Sequence, residues 1–233
     1  MRGPLVLAVA QPLCRPHDVS ANALTHAAVV ASAGARVVVF PELSLTGYEL
    51  DAAAIRVDDG RLAPIVEACA QSGSLALVGV PLDDDGGRAS IAMLAVDGSG
   101  AGVAYRKMWV DSTESRFTAG EQPAVIDVEG WRLGLAICKD TGIAEHAEQT
   151  AALGIDVYVA GTVMHTYEIG IQNDRGHRIA TRHQVRVAIA SFAGSTGGGY
   201  DDAAGSSGVW ARDGSVLAQA GPEVGAIARA TLD

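Results

Sequence analysis

The stretch that most constrains this chain is Leu133-Gly134-Leu135-Ala136-Ile137-Cys138-Lys139-Asp140. A short aliphatic run bounded by turn and breaker residues reads as a buried strand. It stops abruptly on a cysteine and two charges, followed by Thr141-Gly142. A side chain at the end of a buried strand is held rigidly and faces the loops, a good position for a reactive group. Cys138 is therefore a candidate nucleophile. Most free cysteines are simply small buried hydrophobes, and on this stretch alone that plainer reading is favoured.

Two further strand ends deliver charges. Residues 36–40 form a β-branched run that leads into Pro41-Glu42-Leu43-Ser44-Leu45-Thr46-Gly47-Tyr48. Residues 89–96 and 101–105 read as a hairpin that ends in Tyr105-Arg106-Lys107. A carboxylate (Glu42), an ammonium (Lys107) and a thiol (Cys138) thus share one kind of position. A thiol is a poor nucleophile and a thiolate a strong one. Glu42 could take the thiol proton if burial raises its pKa, and Lys107 could stabilise the negative charge that follows attack. Base, nucleophile and fixed cation suffice for acyl transfer through a covalent intermediate.

The rest of the chain alternates between strand and helix patterns. Strands are expected at 5–10, 75–80, 124–128, 131–137, 155–160, 187–193, 209–212, 215–220 and 225–231. Helices are expected at 20–34, with Gly34 as C-cap, and at 61–72, 143–153 and 173–186. Residues 108–122 form a long polar loop, of a length that is usually functional or mobile, and residues 195–208 a Gly/Ser loop. The acidic stretch at 83–87 reads as a solvated turn without the oxygen ligands of a calcium loop. No fixed-period repeat and no Gly-rich phosphate loop is visible. Mixed sheets follow from hairpins set beside helical crossovers.

Totals narrow the class. At 233 residues and 48% hydrophobic content, with no Pro/Ser/Gly-rich linker, one domain spanning 1–233 is expected. The formal charge of −10 gives no footprint for nucleic acid or an anionic membrane. Three widely spaced cysteines, Cys14, Cys69 and Cys138, fit neither a disulfide framework nor a zinc site. Met1-Arg2-Gly3-Pro4 leads straight into a strand-like run, and no apolar stretch is long enough to span a bilayer, so a cytoplasmic setting is expected.

Taken in order, Phe40 to Tyr48, Tyr105-Arg106-Lys107 and Gly134 to Asp140 resemble the nitrilase superfamily of carbon–nitrogen hydrolases. The resemblance covers nearly the whole chain, more weakly toward the C-terminal end. It implies an α/β fold, a four-layer α-β-β-α sandwich with two mixed sheets. It also implies a triad of Glu42 as general base, Lys107 as oxyanion stabiliser and Cys138 as nucleophile. No metal or organic cofactor is implied, and a homodimer or larger homo-oligomer is expected.

The implied reaction is hydrolysis of a small linear amide through a Cys138 thioester, with ammonia or an amine leaving. A nitrile or N-carbamoyl hydrolase, or a non-catalytic regulatory relative, stands as the alternative. A second glutamate of the family matches Glu114, within a loop where Ala119 replaces the family's frequent proline. The backbone N–H of Lys139 is the implied second oxyanion donor. Lys139 itself departs from the residues usual after the nucleophile, and its side chain is expected to pair with Asp140 or another carboxylate. Tyr48 and His165, with Tyr167, are candidates for the pocket wall, whereas Glu145 resembles a structural glutamate.

Overall fold

A computed structural model describes residues 2–84 and 87–233. The first half runs β1 (Leu5–Ala10), α1 (Val19–Ala33), β2 (Val37–Val39), α2 (Ala63–Ser72), β3 (Leu75–Asp83), β4 (Ala89–Asp97) and β5 (Gly100–Arg106). The second runs β6 (Val125–Val128), β7 (Trp131–Ile137), α3 (Ala144–Ala152), β8 (Val157–Thr162), α4 (Ile169–His183) and β9 (Arg186–Ser191). A short pair, β10 (Ala193–Gly194) and β11 (Ala203–Ala204), precedes β12 (Gly208–Trp210), β13 (Val216–Gln219) and β14 (Ile227–Leu232).

Alternate residues of the central strands face two different cores, which is why these strands read as unbroken apolar runs. Leu7 and Val9 of β1, Val39 of β2, and Leu135 and Val159 of β7 and β8 meet in a core between the sheets. Ala8, Val38 and Val78 face outward onto α1 and α2, where Val30, Ile65 and Cys69 cover them. Ala136, Tyr158 and Ala160 face the other way onto α3 and α4, against Ala147 and Ile179. Each Val or Leu buried in this way contributes roughly 1.5–3 kcal/mol. The layers are therefore α-β-β-α.

The two six-stranded sheets have orders β14-β1-β2-β3-β4-β5 and β6-β7-β8-β9-β12-β13. Read in those directions, both pair antiparallel, parallel, parallel, antiparallel, antiparallel. The chain thus repeats a topology without a sequence period, because each strand needs only apolar residues and the intervening loops differ in length. Since β4 reverses direction between β3 and β5, β2 and β5 end at the same edge. That edge receives both Glu42 and Lys107.

Most expected elements stand within a residue or two of their predicted limits. The exceptions are β3, which runs on to Asp83, and helix α4, which begins at Ile169 and ends at His183. A 3-10 turn at Thr166–Glu168 leads into it, and Gln184 ends it in the left-handed conformation at φ +54. Arg186 then pairs with Val157 as the first residue of β9. Of the acidic turn, Asp85 and Gly86 lie outside the described residues, and Asp84 pairs with Arg106 at 2.8 Å. Among the described residues no helix is long and apolar enough to cross a membrane.

Candidate active site

The loop after β2 is wedged between the two sheets. A Cβ on Gly79 of β3 would fall 2.3 Å from Pro41 O, and one on Gly161 of β8 would fall 2.6 Å from Phe40 O. Only glycine at both positions lets the backbone around Glu42 settle so deeply. The loop is also tied from α1: His26 Nε2 lies 2.8 Å from Ser44 Oγ, and Asn22 donates to Leu45 O at 2.9 Å. Leu43 and Tyr48 adopt left-handed conformations at φ +51 and +56, which cost energy for residues with side chains. Glu42 is 1% exposed.

Lys107 leaves the end of β5 and is equally buried. Its Nζ donates to Glu42 Oε1 at 2.7 Å and to Glu114 Oε1 and Oε2 at 2.6 and 2.7 Å. Glu114 sits in a 3-10 turn, Ser112–Glu114, inside the long polar loop. Asp111 caps that turn through Thr113 N, and its own N–H donates back to Glu114 Oε2 at 2.6 Å. Such a capping box fixes the side chain of its third residue, so local sequence aims Glu114 at Lys107. The Tyr48 hydroxyl donates to Glu114 Oε1 at 3.2 Å.

Cys138 directly follows β7 and opens a 3-10 turn, Cys138–Gly142. Its φ of +40 is rare for a residue with a side chain and marks local strain. The thiol faces Val163 O at 3.6 Å, and Thr141 Oγ1 closes the turn on Cys138 O at 2.7 Å. Lys139 reaches away from the sulfur to Val110 O at 3.1 Å and Asp111 Oδ2 at 3.2 Å. Its partner is therefore Asp111, not Asp140, whose carboxylate is fully buried and turned toward other donors.

Burial pushes Glu42 up to about 7, with the Lys107 charge opposing and the Glu114 charge adding to the rise. One of its oxygens is taken by Lys107. The other, Oε2, is buried without a well-formed hydrogen bond among the described residues, and the Cys138 thiol is the group beside the carboxylate. Burial also pushes the thiol above the ordinary cysteine range, reinforced by Glu42 and countered by Lys107. For Lys107, burial favours the neutral amine, but Glu42, the Cys138 sulfur and Glu114 outweigh it and hold the ammonium. The resting arrangement is a neutral thiol, a permanent cation and a carboxylate poised near neutrality.

A model of carbon–nitrogen hydrolases matches residues 6–233. The chain belongs to the carbon–nitrogen hydrolase family. A protein described as a hydrolase in the pqqF 5′ region of Pseudomonas protegens is 30% identical over 221 residues, 89% of this chain and 75% of that protein. The fold matches Saccharomyces cerevisiae Nit3, a member of branch 10 of the nitrilase superfamily, with TM-score 0.86 and 20% identity over 99% of this chain and 90% of that one. It also matches an amidase from Nesterenkonia sp. AN1, solved as a cysteine-to-alanine mutant in complex with butyramide. There the TM-score is 0.86 and the identity 23%, over 98% of this chain and 90% of that one.

In this carbon–nitrogen hydrolase, the structure brings Glu42, Lys107, Glu114 and Tyr48 into direct contact, with Cys138 beside Glu42. His165 lies farther out, stacked between Tyr167 at 4.9 Å and Tyr200 at 4.2 Å. Tyr200 meets the Tyr48 ring edge-on at 5.3 Å, so an aromatic row runs from the surface to the buried carboxylates. Sequence reasoning missed Tyr200. Nothing local marks it: it is placed by Thr196, which donates from Oγ1 to Gly47 O at 2.7 Å and from N to Tyr200 O at 2.8 Å.

Glu145 is exposed on α3 and accepts from Gln149. Among the described residues, His17, Glu49 and Asp51 bring three potential ligand atoms within 4.8 Å of one another. This group lies at the surface and shares no residue with the buried site.

Proposed function

We propose that this carbon–nitrogen hydrolase cleaves a small linear amide through a thioester on Cys138, and that one domain spanning 1–233 does so. The observation that carries the reading is the division of labour around Lys107. One carboxylate, Glu114, holds the ammonium with both oxygens, and the other, Glu42, gives it one and leaves Oε2 without a hydrogen bond among the described residues. A poised base, a sulfur and a fixed cation then serve one carbon atom.

In the first step Glu42 takes the thiol proton as sulfur attacks the amide carbon. The carbonyl electron pair moves to oxygen, where Lys107 Nζ and the Lys139 backbone N–H stabilise it, in the manner of an oxyanion hole. The tetrahedral intermediate collapses with the nitrogen leaving, and the proton held on Glu42 passes to it as ammonia or an amine departs. Glu42, again a carboxylate, removes a proton from water as its oxygen attacks the thioester. The acid leaves and the proton returns to sulfur. The sum is amide plus water giving acid plus amine, with no redox change.

An amide is preferred over a nitrile because the Nesterenkonia amidase, of the same fold, was solved with butyramide. Small size agrees with the burial of the site: Glu42, Lys107 and Glu114 are each 1% exposed. The test is ammonia release from a panel of small amides, carbamoyl compounds and nitriles by wild type and Cys138→Ala. Release by wild type alone, greatest with an amide, is the expected result. Equal release by both proteins would remove Cys138 from the reaction, and release only from nitriles would move the substrate class.

A further inference from the structure

Asp140 is completely buried two residues beyond Cys138. Its Oδ2 accepts from the backbone N–H of Ile137 at 2.9 Å and from the Tyr105 hydroxyl at 2.7 Å. Its Oδ1 accepts from the backbone N–H of Trp109 at 2.9 Å. These partners are not scattered. Ile137 immediately precedes Cys138, and Tyr105 and Trp109 lie two residues before and two residues after Lys107. One side chain therefore holds the backbone N–H before the nucleophile, the backbone N–H two residues after the cation and the Tyr105 hydroxyl two residues before it. Those residues belong to different sheets, so nothing in the pairing of β5 or β7 alone sets their separation.

The grip is itself braced. The Tyr105 oxygen also lies 2.9 Å from His146 Nε2 and accepts from Met108 N at 3.3 Å, and His146 Nδ1 lies 2.8 Å from the Tyr158 hydroxyl. The network runs from β5 through α3 to β8. All three contacts are donors aimed at its two oxygens, the arrangement a carboxylate accepts, and they oppose the burial that pushes its pKa up to about 6. Three hydrogen bonds to an ionised acceptor are the strong kind, and satisfied buried networks rigidify what they join. Asparagine cannot replace it: turning its oxygen toward Ile137 and Tyr105 points its NH₂ at the Trp109 N–H, donor against donor.

Resting on the reading of Cys138 and Lys107 proposed above, we infer that Asp140 is a positioning residue that sets the distance between the nucleophile and the oxyanion-stabilising cation. It touches neither substrate nor sulfur. It acts by holding two strand ends from different sheets in one register.

The test compares wild type, Asp140→Asn and Tyr105→Phe in two assays on folded protein. The first is the rate of Cys138 alkylation by iodoacetamide, read by peptide mass. The second is kcat and KM for whichever amide the wild type hydrolyses. A misplacement of about 1 Å costs about 100-fold, so Asp140→Asn is expected to slow alkylation and kcat by about that factor while KM moves little. Tyr105→Phe keeps the carboxylate and loses one donor, and is expected to lose about 10-fold in both, the smaller share of that effect. A carboxylate that only stabilised the fold would lower the melting temperature and leave both rates per folded molecule unchanged, which would overturn the inference. If Asp140→Asn fails to fold, wild-type rates in Tyr105→Phe overturn it equally. Alkylation needs no amide, so a wild type that alkylates but hydrolyses nothing sinks the proposed substrate and leaves the role of Asp140 to be decided by the variants.

Discussion

Glu114 meets the Lys107 ammonium with both carboxylate oxygens, at 2.6 and 2.7 Å, whereas Glu42 meets it with one. The asymmetry separates a carboxylate that holds the cation from one that can exchange a proton. Glu42 must be ionised to take the thiol proton, and burial followed by the charges around it places its pKa at about 7. Activity measured as kcat/KM is therefore expected to fall as pH drops through about 7, and Glu42→Gln to lose at least ~100-fold in turnover. Because the Glu114 charge helps to raise Glu42, Glu114→Gln is expected to move the acid limb of the profile to lower pH. A limb that stays in place would separate the two carboxylates. Stability runs the opposite way: between about 4.5 and 7 the folded protein holds a proton on Glu42 that the unfolded chain has released. This group's contribution to stability falls as pH rises through that window, and Glu42→Gln is expected to gain on wild type there.

Lys107→Met removes the cation from between two buried carboxylates. Breaking a buried pair costs about 3–5 kcal/mol because a charge is left uncompensated. The variant is expected to lose at least ~100-fold in turnover and to unfold at a lower denaturant concentration than wild type. Wild-type turnover would exclude Lys107 from the chemistry.

Gly161→Ala tests how the general base is placed. The added methyl would sit 2.6 Å from Phe40 O and 3.0 Å from Glu42 N, against backbone that cannot swing aside. Overpacking of this kind costs typically about 1–3 kcal/mol, and here it is expected to displace Glu42 as well. Turnover should fall more steeply than stability, and a variant that is less stable but fully active would show that the wedge does not position Glu42.

A dimer or larger assembly is expected in solution. The outer layer over the β6–β13 sheet leaves Ile171 of α4 and Leu153, at the end of α3, substantially exposed, and a helical layer of a sandwich can pair with its copy. Light scattering at working concentration checks this, and a monomer would contradict it.

What could be read from the sequence was what depends on neighbours along the chain. The doubly buried strands declare themselves as aliphatic runs, and the three charged strand ends follow from where those runs stop. Glu114 came only from the resemblance to the family's second glutamate, and the capping box with Asp111 that fixes its side chain became visible in the structure. Contacts set by the meeting of two sheets were not. Gly79 and Gly161 look like ordinary strand glycines until the loop after β2 is seen between them. Asp140 stands beside Lys139 in the chain, which invites a pairing. Its side chain turns instead to Trp109, Ile137 and Tyr105, while Lys139 crosses to Asp111. Tyr200 reaches the site only because a Gly-rich loop is bonded back to Gly47.

The central claim, that an acyl group passes through the sulfur of Cys138, is tested most directly by intact mass. Wild type and Cys138→Ala would be mixed with the best amide of the panel and quenched in acid within the first turnovers. The expected result is a species heavier than wild type by the acyl group, mapped to Cys138 and absent from the variant. Turnover by wild type with no such adduct, or an adduct on Cys14 or Cys69 in its place, would contradict it.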